Sequence, residues 1–67
     1  MPTITVDGPR IVDLDTRRAL VKGLTDAAEN AFGINRAHIV VLIREHKPEN
    51  VGVGGELIAD RRGSGEA

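Results

Sequence analysis

Hydrophobic and polar side chains alternate at the start of the chain, with Ile4 and Val6 on one side and Thr3 and Thr5 on the other. A period of two belongs to a half-buried strand, so Pro2 to Asp7 is predicted as one, ended by Gly8-Pro9. Arg10, Ile11 and Val12 then lead to Asp13 or Asp15, either of which suits the cap of a following helix. Within that helix Leu20, Leu24, Ala27, Ala28 and Ala31 recur at intervals of three and four. They predict a packed face, with Arg17, Arg18, Lys22, Asp26 and Glu29 largely on a solvated one. Gly23 weakens the middle of the helix and is expected to mark a close approach to a sheet. Gly33 falls where a left-handed C-terminal cap belongs.

After a turn at Asn35-Arg36, the run from Ile39 to Ile43 is continuously apolar and mostly β-branched, which predicts a strand buried on both faces. Strand, helix and strand at this spacing make a βαβ unit with parallel strands and a right-handed crossover. Arg44 to Asn50 reads as a polar loop. The glycines of Val51-Gly52-Val53-Gly54-Gly55-Glu56-Leu57 suit a tight hairpin or a bulged strand that Ile58 and Ala59 extend. The predicted fold is therefore α+β: a single βαβ unit plus a C-terminal hairpin in one domain over 1–60, with a flexible tail over 61–67. One helix covers only one face of a sheet. Because Ile39 to Ile43 offers apolar side chains to both, the second face requires another chain, and an obligate oligomer is expected.

Composition sharpens that expectation. A chain of 67 residues buries only about 60% of the surface its unfolded form exposes. This one has no cysteine and a single aromatic residue, Phe32, so the usual supports of a small fold are missing. His38 and His46 stand too far apart, with too few helpers, for a metal site. Gly52-x-Gly54 follows a polar loop and precedes no helix, which is the wrong context for a nucleotide or phosphate cradle. No cofactor is expected. A net charge of −1 with almost no aromatics argues against nucleic acid. No apolar run nears the roughly 20 residues that span a bilayer, and no basic-then-apolar leader opens the chain, so a cytoplasmic protein is expected.

The chemistry-bearing candidate is Pro2. Removal of Met1 converts its nitrogen into a free secondary amine held in a ring, a base or nucleophile that an internal proline cannot supply. An α-amino group titrates at about 7.7–8.0 when unperturbed, and an apolar pocket or nearby arginine lowers that toward neutrality, where a proton shuttle is most useful. The plain alternative is a proline that only starts an edge strand. Arg10, just past the first strand, suits bidentate capture of a carboxylate, and its alternative is an exposed loop cation. Arg44, on the same side of its strand as Val40 and Leu42, is a second cation that can face a cleft.

Met-Pro at the start, the βαβ spacing and Val51-Gly-Val-Gly-Gly-Glu-Leu57 together resemble the 4-oxalocrotonate tautomerase family, over nearly the whole chain up to about Asp60. The resemblance implies a hexamer built from dimers, with sites shared between chains. It also implies that Pro2 acts as general base on a small enol or dienol acid and returns the proton to carbon, giving the keto form. The family pattern further uses an arginine before the helix, an arginine in the buried strand and an aromatic residue before the Gly-x-Gly-Gly segment. Here those positions hold Val12, Val40 and Val51. Such arginines bind and polarise a carboxylated substrate. Their loss predicts a retained base in a changed pocket, with Val40 and Val51 as an apolar wall and Arg10 or Arg44 as the carboxylate anchor.

Two further readings compete. In one, Pro2 stays protonated and acts as a general acid for hydration or dehalogenation of an unsaturated acid, with Glu45 and Glu49 the loop candidates for activating water. In the other, the chain is a non-catalytic oligomeric scaffold or ligand-binding module.

Overall fold

The computed structural model describes residues 1–61. Strand β1 (Thr3–Gly8) leads into helix α1 (Leu14–Phe32), then to strand β2 (Val40–Glu45). The two strands pair in parallel, with Thr3 beside Val40, Thr5 beside Leu42 and Asp7 beside Arg44. The βαβ unit expected from the alternating and helical periods is present. A short antiparallel hairpin, β3 (Gly52–Val53) and β4 (Glu56–Leu57), follows, and a single turn of helix, α2 (Ile58–Arg61), closes the described chain.

Alternation sorts the sheet into two faces. Ile4, Val6, Val41 and Ile43 are half-buried on the side that α1 covers. Thr3, Thr5, Val40 and Leu42 share the other face, where Leu42 remains 49% exposed. The expectation that the second strand is buried on both faces is therefore not met within one chain, because the helix shields one side only. Among the described residues, only Ala28 and Thr25 are buried, at 6% and 8% exposure, and no large side chain is fully enclosed. The molecule measures 45 × 25 × 14 Å, a slab one helix and one sheet deep.

The helix ends are set locally. Asp13 occupies the N-cap position, but its carboxylate accepts the Thr16 hydroxyl at 2.9 Å and caps no backbone N–H. Gly33 closes the helix in the left-handed region, φ 66°, and its N–H donates to the Glu29 carbonyl at 2.9 Å, as its place in the sequence predicts. The packed stripe is narrower than expected. Leu20, Leu24, Thr25 and Ala28 lie inward, whereas Ala27 and Ala31 are exposed, because two strands offer a strip too thin to reach one step further round the helix. Gly23 makes no close approach to the sheet: it is exposed, and a Cβ added there meets nothing within 4 Å.

Beyond β2 the expected polar loop is shorter than the sequence suggests, because Arg44 and Glu45 continue the strand and a 3-10 turn covers Pro48–Asn50. Of the two forms open to the glycine-rich segment, the chain takes the hairpin. Gly54 and Gly55 form its two-residue loop with φ of 62° and 86°, conformations that disfavour any side chain. Ile58 does not extend the strand. Its N–H donates to the Val51 carbonyl at 2.8 Å and starts α2 instead. Arg61, expected to begin a flexible tail, is helical and pairs with Glu56, with Nε 3.0 Å from Oε1; residues 62–67 of that tail lie outside the described chain. The hairpin packs chiefly on its own flanking turns, so it projects from the βαβ slab as an arm.

Replacing Gly33 with alanine forces a Cβ into the left-handed region and is expected to cost roughly 1–2 kcal/mol of stability, readable as a lowered midpoint in urea unfolding. An unchanged midpoint would contradict the cap geometry.

Candidate active site

Pro2 sits at the leading end of the sheet. Its carbonyl accepts the Val40 N–H at 3.0 Å, which anchors the residue beside the start of β2. Met1, 87% exposed, extends beyond it, so a peptidase can reach the Met1–Pro2 bond without opening the sheet. Val40, one of the two valines expected to form an apolar wall, therefore lies next to Pro2.

The other candidates lie elsewhere. Arg10 follows the far end of β1, and the six residues of that strand, at about 3.3 Å each, separate it from Pro2 of the same chain by roughly 20 Å. Arg44 is at that far end as well, paired in register with Asp7. Val51 comes after β2 and the 3-10 turn at Pro48–Asn50, half-buried at the base of the projecting hairpin. One chain thus brings Pro2 and Val40 together at one end of the sheet and leaves Arg10, Arg44 and Val51 beyond the other.

Charge at that far end is organised on both faces. On the open face Asp7 gathers two partners: His46 Nε2 lies 2.7 Å from its Oδ1, and Arg44 donates Nε to Oδ1 at 3.1 Å and Nη2 to Oδ2 at 3.4 Å. Arg44 is thus occupied by a protein carboxylate. On the helix-covered face Glu45 accepts the Ile11 N–H at 2.7 Å, and its Oε2 lies 2.8 Å from Arg17 Nη2. Arg17 Nε in turn donates to the Ile11 carbonyl at 2.6 Å. Arg17 is partly buried and structural, not one of the solvated helix cations the periodicity suggests. Arg18 remains on the exposed face, paired with Asp15 at 2.7 Å.

Glu45, Arg17, Asp7 and His46 do not stand out as a group in the sequence. The available signal is alternation: Glu45 follows Ile43 by two residues, so its carboxylate falls on the helix-covered face and needs a cation from the first turn of α1. Among the described residues every arginine except Arg10 takes part in an ion pair. Arg10 is exposed, and its side chain makes no hydrogen bond to a described residue.

A shallow open groove of about 520 Å³ lies between α1 and the segment that precedes β2, where Leu14, Val21 and Ile39 mix with Arg18, Lys22 and Arg36. Pro2 does not line it. No group of three or more His, Cys, Asp or Glu capable of holding a metal occurs among the described residues. No helix among them is long and apolar enough to cross a membrane.

Hydrogen bonds from His46 and then Arg44 hold the Asp7 carboxyl below its ordinary value of 3.8, and those from Lys22 and Arg36 do the same for Asp26. The folded state therefore binds these protons more weakly than the unfolded chain. The stabilisation is complete above 3.8 and is lost as pH falls through the lower folded values. Carboxyl-carbon NMR titration is expected to place both midpoints under 3.8, with Asp7 moving back toward it in a His46→Ala variant. A midpoint for Asp7 at or above 3.8 in the unmodified chain would contradict the cluster.

Comparison with known proteins agrees with this architecture. Residues 2–61 match the family model described as tautomerase enzyme. A probable tautomerase K2 from Dickeya dadantii (strain 3937) is 37% identical over 59 residues, covering 88% of this chain and 84% of that one. Among solved structures, DmpI from Archaeoglobus fulgidus is 46% identical with a TM-score of 0.80, over 88% of this chain and all of that one. TomN, a 4-oxalocrotonate tautomerase homologue in the tomaymycin biosynthetic pathway, is 32% identical with a TM-score of 0.86, over 97% of this chain and all of that one. With a family match across nearly its whole length and the same βαβ-plus-hairpin architecture, the chain belongs to the tautomerase family.

Proposed function

We propose that the protein is an isomerase that converts a small enol or dienol acid to its keto form, with Pro2, freed of Met1, as general base. The observation that carries this reading is the placement of Pro2 at an accessible end of the sheet, in a chain of the tautomerase family. The ring nitrogen takes the enol hydroxyl proton as the carbonyl forms. The same nitrogen then delivers a proton to the carbon that gains electron density. Nothing is oxidised or reduced, so the reaction needs no cofactor.

Arg10 supplies the carboxylate anchor in this reading, because among the described residues it is the arginine that no carboxylate occupies. Arg44, held by Asp7, contributes positive charge from a fixed direction. Val40 and Val51 supply apolar walls, which favour the neutral amine by desolvating its ammonium form. Since roughly 20 Å of strand separates Pro2 from Arg10 within one chain, a small acid touching both requires Pro2 of one copy and Arg10 of another. A shared site therefore goes with assembly into a homo-oligomer, for which a hexamer is our assignment. The uncovered face of Thr3, Thr5, Val40 and Leu42 and the exposed Val53 and Leu57 of the arm supply the surfaces for that assembly.

For the hydration or dehalogenation alternative, Glu45 is a poor water activator. Its carboxylate is already committed to the Ile11 N–H and Arg17.

Two experiments test the proposal. Met-free protein, verified by mass, is expected to ketonise 2-hydroxymuconate or phenylenolpyruvate, and Pro2→Ala to lower kcat/KM by about 100- to 10,000-fold, the usual worth of a positioned general base. Equal activity in the two proteins would refute the role of Pro2. For assembly, native mass spectrometry is expected to show a multimer, and Leu42→Glu, which places a charge on the open sheet face, to shift it toward smaller species. A wild-type monomer would contradict the shared site.

A further inference from the structure

The loop from Pro9 to Val12 carries Arg10, yet among the described residues it makes no backbone–backbone hydrogen bond. Its shape depends on two side-chain bonds to Ile11 and an ion pair that links the side chains making them. Glu45 Oε2 accepts the Ile11 N–H at 2.7 Å, and Arg17 Nε donates to the Ile11 carbonyl at 2.6 Å. Arg17 Nη2 then joins the two holders, 2.8 Å from Glu45 Oε2 and 3.1 Å from Oε1. The pair is partly shielded, with side-chain exposures of 32% for Arg17 and 26% for Glu45. Both bonds to the backbone are charge-assisted, and therefore stronger than neutral ones.

The held N–H belongs to the peptide unit that joins Arg10 to Ile11, and the held carbonyl to the next unit. On the other side of Arg10 stands Pro9, whose ring fixes its own φ. Arg10 is thus held through the backbone on its C-terminal side and follows a residue of fixed φ, while among the described residues its guanidinium has no partner. That combination suits an anion receptor: part of the backbone entropy is already spent, and no carboxylate among the described residues competes.

We infer that Glu45 and Arg17 are positioning residues for Arg10, setting the direction from which it meets the carboxylate of an enol acid. The inference rests on the assignment of Arg10 as carboxylate anchor in the proposed tautomerase. Neither residue touches the substrate. The clamp acts on binding, not on the proton transfer at Pro2, so its loss appears in KM and not in kcat.

The test is a double-mutant cycle on the Met-free oligomer with 2-hydroxymuconate, assembly of each variant being checked by native mass spectrometry. Glu45→Gln is expected to raise KM about tenfold with kcat changed less than about twofold, and to add nothing once Arg10→Ala is present, since the clamp then has nothing to position. If Glu45→Gln fails to assemble, Arg17→Lys takes its place: one ammonium cannot serve Ile11 and Glu45 in the same geometry, and a smaller rise in KM, again absent in the Arg10→Ala background, is expected. An active wild type whose KM is unmoved by these variants, or moved equally with and without Arg10, overturns the clamp and leaves the tautomerase assignment standing. An active wild type whose KM is insensitive to Arg10→Ala overturns the anchor and the clamp together. A wild type inactive toward both enol acids overturns the tautomerase assignment and this inference with it.

Discussion

One helix over two parallel strands is the constraint from which the rest of the structure follows. A strand such as Val40–Glu45 presents side chains alternately to two faces, but α1 covers only the face of Val41 and Ile43. Thr3, Thr5, Val40 and Leu42 are left without cover, and the slab is only 14 Å thick. Burial on this scale leaves two buried residues among those described, Thr25 and Ala28. A single copy is thus a poor candidate for an independent fold. The arm formed by the hairpin and α2 carries the same message, since it packs on itself and leaves Val53 and Leu57 exposed.

The same geometry governs the proposed chemistry. A parallel βαβ unit places the start of β1 and the loop after it at opposite ends of the sheet, so Pro2 and Arg10 cannot meet in one chain. Under the proposed function, catalytic base and carboxylate anchor become properties of an assembly. Among the described residues, paired charges then decide which arginine remains available: Asp7 occupies Arg44, Glu45 occupies Arg17, and Arg10 is left open. Burying the charge of Glu45 beneath the loop sets the shape of that loop, because a partly shielded carboxylate needs both its cation and its N–H donor.

Much of this was legible in the sequence where local rules dominate. The alternation of Thr3 to Val6, the helical spacing around Leu20 and Leu24, the glycine at 33 and the Gly54-Gly55 turn each report a backbone requirement that acts over a few residues. Less legible was whatever depends on long-range pairing. Arg17 looked like a surface cation because its partner Glu45 lies 28 residues away, and only the strand register brings the two together. Gly23 looked like a contact point because helix period alone does not tell how wide the covering sheet is. Ala27 and Ala31 fell outside the packed stripe for the same reason. The 79% exposure of Val12 leaves it no role in the packing of one chain.

The central claim is that the Pro2 nitrogen, as a neutral amine, is the base. The most direct measurement is the titration of that nitrogen by 15N NMR in Met-free protein, set against the pH dependence of kcat/KM for the same sample. The account predicts that activity rises with pH through the midpoint at which the Pro2 nitrogen loses its proton. Activity that instead falls through that midpoint, or that ignores it, would contradict a neutral proline base.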